Sequence, residues 1–166
     1  TPYLVIDIGG GSTEFVLGGS TVEAARSVDV GCVRLAERHL LSDPATPTQI
    51  EDARADVVRA LDLVEQFLPV GKARSVIGLA GSVTTIAALA LKLPTYDERR
   101  IHHSRLSAQQ IHEITTQLLS MTRDQRAALA VMHPGRADVI GEGAIVLDTL
   151  VTRWGVDEVV VSEHDI

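Results

Sequence analysis

Three consecutive glycines separate two apolar runs near the start of the chain, in Val5-Ile6-Asp7-Ile8-Gly9-Gly10-Gly11-Ser12-Thr13-Glu14-Phe15-Val16. Glycine carries no Cβ, so the triplet lets the backbone reach positive φ and approach a ligand closely, its N–H groups forming an anion nest. Ser12 and Thr13 add hydroxyl donors, and Asp7 and Glu14 place a carboxylate on each side of the nest. Two acids beside phosphate-binding amides suit a divalent cation, Mg2+ or Mn2+, shared between protein and phosphate oxygens. The competing reading is a plain hairpin turn, which needs one or two glycines and has no use for flanking acids. The run is not a Walker A loop, since no Lys follows the glycines, nor a dinucleotide fingerprint, since a strand and not a helix comes next.

The pattern along the chain organises around that loop. Tyr3 to Ile8 is nearly all apolar and reads as a central strand covered on both faces. Thr13 to Leu17 and Val22 to Val30 follow as the second and third strands of a meander, turning at Gly18-Gly19. Val33 to Leu41 has helical spacing, and a longer helix is expected with Thr48 as cap, Glu51 completing a capping box, and Pro69 as its end. Ser75 to Leu79 is a β-branched strand whose glycine turn, Gly81-Ser82, leads into a helix through Leu91. Leu93 to Arg105 is polar and irregular; helices over Ser107–Leu119, Arg123–Ala130 and Ala137–Trp154 and a last strand over Val156–Ser162 complete the set.

Composition narrows the function classes. The 166 residues, 45% hydrophobic, bury a core as a single domain over 1–166, and no linker or repeat divides them. A net charge of −7 with 3% aromatics argues against a nucleic-acid surface, which needs basic stripes and stacking rings. No apolar run approaches the roughly 20 residues of a membrane helix. Cys32 is the single cysteine, so no internal disulfide forms and a reduced cytoplasmic setting is expected.

A polyanion entering an acidic domain needs a local positive path, for which Arg34, Arg136 and the run Arg99-Arg100-Ile101-His102-His103-Ser104-Arg105 are the candidates. Arg136 follows Pro134-Gly135 just before a helix, where its guanidinium can meet phosphate bidentately; Arg34 either serves the site or points into the domain and pairs with Glu37 or another carboxylate. The Arg and His run reads as a solvated loop or a surface meeting another domain or subunit, and its His-His pair lacks zinc-ligand spacing. Gly81 and Ser82 open a helix after a strand, which serves equally as an anion site or as a tightly packed N-cap.

The octapeptide Asp7 to Glu14 resembles, residue for residue, the D-I-G-G-G-S-T-E of the exopolyphosphatase and guanosine pentaphosphate phosphatase family. Gly31-Cys32-Val33-Arg34-Leu35-Ala36-Glu37, Gly78-Leu79-Ala80-Gly81-Ser82-Val83-Thr84-Thr85, Pro134-Gly135-Arg136-Ala137-Asp138-Val139-Ile140 and Val161-Ser162-Glu163-His164-Asp165-Ile166 resemble later family segments in the same order. Ala36 and Ser82 each stand where the family usually has Thr.

This resemblance implies the ribonuclease H-like half of the actin, sugar kinase and chaperone superfamily: a five-stranded mixed sheet with helices on both faces. It further implies hydrolysis of a terminal phosphoanhydride of polyphosphate or guanosine pentaphosphate, with Asp7 and Glu14 as metal ligands and catalytic acids. Gly9, Gly10, Gly11, Ser12, Thr13, Gly81, Ser82, Arg34 and Arg136 would hold substrate. The chain then reads as a fragment, lacking an N-terminal half that brings the catalytic base, inactive alone, and a homodimer is a possible assembly. Two other readings stand: half of an ATP-dependent kinase, or a silent module binding polyphosphate or an alarmone.

Overall fold

Six strands share one sheet in a computed structural model that describes residues 2–164. In chain order the elements are β1 (Tyr3–Ile8), β2 (Thr13–Gly18), β3 (Val22–Val28), α1 (Cys32–Arg38), α2 (Pro47–Phe67), β4 (Ser75–Leu79), α3 (Gly81–Ala90), α4 (Glu98–Ile101), β5 (Arg105–Ser107), α5 (Ala108–Ser120), α6 (Arg123–Ala127), α7 (Ile140–Trp154) and β6 (Glu158–Ser162). The strand order is β3-β2-β1-β4-β6-β5. The meander β1–β2–β3 is antiparallel, β1, β4 and β6 are parallel, and β5 runs antiparallel to β6.

The expected count of five strands is therefore one short. Arg105–Ser107 lies at the end of the segment read as irregular, and it is a strand because β6 offers it an unpaired edge: Leu106 sits opposite Val159. Its sequence has no alternation long enough to signal this.

Helices cover one face, where both were expected. In β1, Leu4, Ile6 and Ile8 are at most 1% exposed while Tyr3 is 45% exposed. The alternation continues in β2, where Thr13, Phe15 and Leu17 are buried and Glu14 and Val16 only partly so. The reason is topological. Both parallel steps, β1 to β4 and β4 to β6, move the same way along the sheet, and right-handed crossovers then deliver their helices to the same side. α7 lies at the centre of that layer, packed against α1, α2, α3 and α5.

Local chemistry sets the helix starts. Thr46, not Thr48, caps α2: its side chain accepts from Gln49 N, Gln49 reaches back to Thr46 N, and Pro47 takes the first helical position where no N–H is needed. The cap expected at Ser107 is present, with Gln110 completing its box. α1 ends at Arg38, α6 at Ala127, and α7 begins at Ile140 after a short 3₁₀ turn over Arg136–Asp138, so these three helices are shorter than expected.

Candidate phosphate-binding site

The carboxyl ends of β1 and β4 lie side by side, since Asp7 is in register with Leu79, and the two glycine turns leave the sheet together there. This is the edge at which open α/β sheets bind ligands. Asp7 and Glu14 are direct partners across β1 and β2, so both carboxylates stand on the helix-free face with their Cβ atoms about 5 Å apart. Glu14 is held in place by hydroxyls: Ser12 Oγ and Ser27 Oγ both donate to its Oε1, the latter at 2.9 Å. Donation from both sides keeps that oxygen an acceptor, as an ionised metal ligand requires.

The loop is anchored through its carbonyls. Cys32 N–H donates to Gly9 O and the N–H groups of Val33 and Arg34 donate to Gly10 O, at 3.0 to 3.2 Å. That contact dictates Gly31, where an added Cβ would sit 2.4 Å from Gly10 O. Gly9 N–H closes the turn on Ser12 O at 3.0 Å. The N–H groups of Gly10, Gly11 and Ser12 have no backbone carbonyl partner among the described residues, so the nest is shifted one residue along from the triplet itself.

Arg34 and Arg136 approach from the helical side. Arg34 Nε lies 3.9 Å from where a Cβ on Gly11 would be. The Arg136 guanidinium rests on Gly81, whose Cβ would fall 2.1 Å from an Arg136 terminal nitrogen, so a side chain there would displace that cation from its place on the turn. Ala80, just before, has φ 77° and ψ 172°, a conformation normally left to glycine and stabilised here only by its surroundings. Nothing in the sequence marks Ala80 as strained, because the strain comes from how β4 must turn into α3.

Two expected ligand side chains point inward. The Thr13 hydroxyl is buried and donates to Val30 O, so it ties β2 to the chain leaving β3 and is no substrate donor. The Ser82 side chain is fully buried against Gly143 of α7 and the Cys32 thiol, without a conventional hydrogen-bond partner. Ser82 belongs to the packing that joins α3, α7 and α1, and only its backbone is near the turn. The Ser12 hydroxyl likewise serves Glu14. Burial raises the Cys32 thiol above its usual range, with Arg136 opposing it, which makes the thiol an uncharged packing group.

A buried acid near the site also escaped the sequence reading. Glu142, in the first turn of α7, is 6% exposed, and burial pushes its carboxyl up to about 7. It lies in a run that reads simply as helix, so periodicity alone does not reveal it.

Asp7 and Glu14 fit a cation that also takes phosphate oxygens and water, because Mg2+ is commonly held by one or two carboxylates plus substrate. They do not make an all-protein cage: no group of three His, Cys, Asp or Glu able to hold a metal is found among the described residues.

Against known proteins, the model of the Ppx/GppA phosphatase family matches residues 1–164. The chain is 50% identical over 169 aligned residues to exopolyphosphatase 2 of Mycobacterium tuberculosis, covering 99% of this chain and 53% of that protein. A crystal structure of an exopolyphosphatase-like protein superposes with a TM-score of 0.96 at 41% identity, over 99% of this chain and 56% of the other. The PPX-GPPA enzyme of Aquifex aeolicus superposes with a TM-score of 0.90 at 28% identity, over 98% and 54%. The chain thus spans about half the length of the curated relatives it matches most fully.

Proposed function

The chain belongs to the Ppx/GppA phosphatase family, and on that premise we propose that it supplies one wall of a site hydrolysing the terminal phosphoanhydride of inorganic polyphosphate. The observation that carries this reading is the cross-strand pair Asp7 and Glu14 beside the N–H groups of Gly10, Gly11 and Ser12, which have no backbone carbonyl partner among the described residues. Backbone amides there receive the terminal phosphoryl oxygens, and Arg34 and Arg136 balance charge from the opposite side. Mg2+ or Mn2+ held by Asp7 and Glu14 would neutralise charge that develops on those oxygens. Water attacks the terminal phosphorus, the P–O bond to the chain breaks, and orthophosphate leaves. We assign the base that takes the water's proton to the part of the protein outside this chain, as the family resemblance implies; Glu14, whose Oε1 accepts from two serine hydroxyls, is left to the cation.

A reduced, cytoplasmic setting accords with a single buried cysteine. No helix among the described residues is long and apolar enough to cross a membrane.

The test is orthophosphate release by the full-length protein with Mg2+, measured on polyphosphate and on guanosine pentaphosphate in parallel. Release from polyphosphate supports the reading. Transfer to a small-molecule acceptor from ATP would replace it with a kinase, and binding without turnover would replace it with a sensor. The chain alone is expected to bind phosphate chains weakly and to release essentially no orthophosphate.

A further inference from the structure

The same carboxyl edge carries a second arrangement one strand further on. Leu79 is in register with Ser162, so the exit of β6 runs beside the Ala80–Ser82 turn. The turn between α4 and β5 is laced to that exit: His103 N–H donates to Val161 O at 2.8 Å, and Val161 N–H donates to Ser104 O at 2.9 Å. Three imidazoles meet there. His102 lies 3.8 Å from His103 between ring centroids and 4.4 Å from His164, the latter pair stacked within 16° of parallel. His103 holds a left-handed backbone, φ 65°, which is uncommon for a residue with a side chain and concentrates at functional turns.

The protonation state follows from geometry. His102 Nδ1 accepts the Glu163 N–H at 3.1 Å, so that nitrogen carries no proton and the ring is the neutral Nε2–H tautomer. Partial desolvation together with His103 and His164 holds His102 below the ordinary histidine range, with Glu163 opposing. The Glu163 carboxylate accepts from Tyr96 OH at 2.7 Å, and burial pushes that phenol up to about 12, so it remains a donor. Tyr96 also contacts Thr84, in the first turn of α3, and the His133 ring, which links the stack to the helix opened by Gly81. Glu98, Arg99 and Arg100 of α4 are exposed nearby in sequence. A metal role does not suit these rings, because stacked imidazoles direct their nitrogens side by side and not at one point.

We propose that the His102–His103–His164 stack is an accessory subsite for the phosphate chain whose terminal group occupies the glycine loop, and that the subsite fills with uptake of protons. The inference rests on the polyphosphate reading above. A chain of net charge −7 offers a long polyanion little net positive charge: Arg34 and Arg136 lie at the two turns, and Arg99 and Arg100 are exposed close to the stack in sequence. Imidazolium charges brought this close repel one another, so charge on one ring opposes charge on the next. Phosphate oxygens laid across them remove that repulsion, so the anion favours the protons and the protons favour the anion to the same degree. The loop after β1 and the exit of β6 are two strand spacings apart, roughly 10 Å, so a chain too short to span that distance is expected to be unaffected. Long-chain affinity therefore rises below about pH 6.5, and short-chain affinity does not.

The experiment is calorimetric titration of the full-length protein with tripolyphosphate and with a chain of several tens of phosphates, at pH 6 and pH 8. Two buffers of different ionisation enthalpy report the protons taken up. The expected result is at least one proton taken up per long chain at pH 6 beyond the tripolyphosphate value, with about tenfold tightening of the long chain relative to the short between pH 8 and pH 6. In the double variant His103→Gln/His164→Gln the difference between chain lengths disappears. Should that variant fail to fold, the imidazole Cε1–H resonances of the unmodified protein give the same answer, since long chains alone should move the His103 and His164 titrations to higher pH. Equal pH response of both chain lengths, or unmoved resonances, overturns the subsite alone. Binding of neither chain overturns the polyphosphate reading and the subsite with it.

Discussion

Glu14 and Asp148 are both carboxylates gripped by neighbours, yet they sit on opposite sides of the molecule and in opposite chemical situations. Glu14 stands on the helix-free face, part-buried, and accepts only from neutral hydroxyls, so its charge is left for something else. Asp148, in the middle of α7, is 1% exposed, and its charge is met by Arg54 of α2 at 2.9 Å, with His112 of α5 at 3.3 Å. Arg54 also donates to Thr149 at 3.2 Å. The difference separates an acid that holds three helices together from an acid whose charge the fold leaves unneutralised. An ion pair satisfied within the fold has no charge to spare, whereas hydroxyl donors fix a carboxylate without neutralising it.

The contrast can be broken most sharply at Glu14. Glu14→Ala in the full-length enzyme is expected to lower kcat for orthophosphate release by about a hundred- to a thousandfold, the scale for losing one group that stabilises transition-state charge, with little change in melting temperature. A kcat near the unmodified value would place Glu14 with Asp148 as a structural acid.

Arg54→Ala should do the reverse. It leaves Asp148 buried with only His112 beside it, and a loss of about 3 kcal/mol in urea unfolding is expected while kcat at low temperature is retained. A comparable loss of kcat in properly folded protein would show that the helical layer and the site are coupled.

Glu142 sharpens the comparison with an acid that has neither arrangement. Its folded pKa, about 7, lies above the ordinary value of 4.5, so between those limits the folded state binds more protons than the unfolded chain and stability falls as pH rises. The contribution is fully present below pH 4.5 and lost by pH 7, amounting to up to about 3 kcal/mol. Glu142→Gln should flatten that portion of the stability profile, and an unchanged profile would mean that water or a cation already compensates the acid.

The smallest effect is expected one residue from the largest. Thr13→Val removes the hydroxyl that meets Val30 O and should cost about 1 kcal/mol of stability while leaving KM for polyphosphate unchanged. A several-fold rise in KM would return Thr13 to the ligand set.

Much of this architecture is legible in the sequence. The meander, the strand–glycine–helix unit, the cap at Ser107 and the placing of Asp7 and Glu14 on either side of the glycine loop follow from local patterns that tertiary structure has no reason to override. What stays hidden depends on distant partners. Arg105–Ser107 becomes a strand only against β6, and the sidedness of the sheet depends on the direction of two crossovers. Near the site, Thr13 and Ser82 look like hydroxyl donors in sequence, but strand alternation turns the first inward and the contact with Gly143 encloses the second. Thr46 and Thr48 both precede Gln or Glu by three residues, and Pro47 decides between them by favouring the earlier start.

The helix-free face has a practical consequence for anyone handling this chain in isolation. Tyr3, Val5, Val16, Ile77 and Val160 leave a greasy, water-washed wall in the middle of the sheet, and Val22, 68% exposed, extends it to the rim. Proteins with such walls stick to columns, to detergents and to one another, so poor recovery or clumping of the purified chain would be a symptom of its surface and no measure of its chemistry.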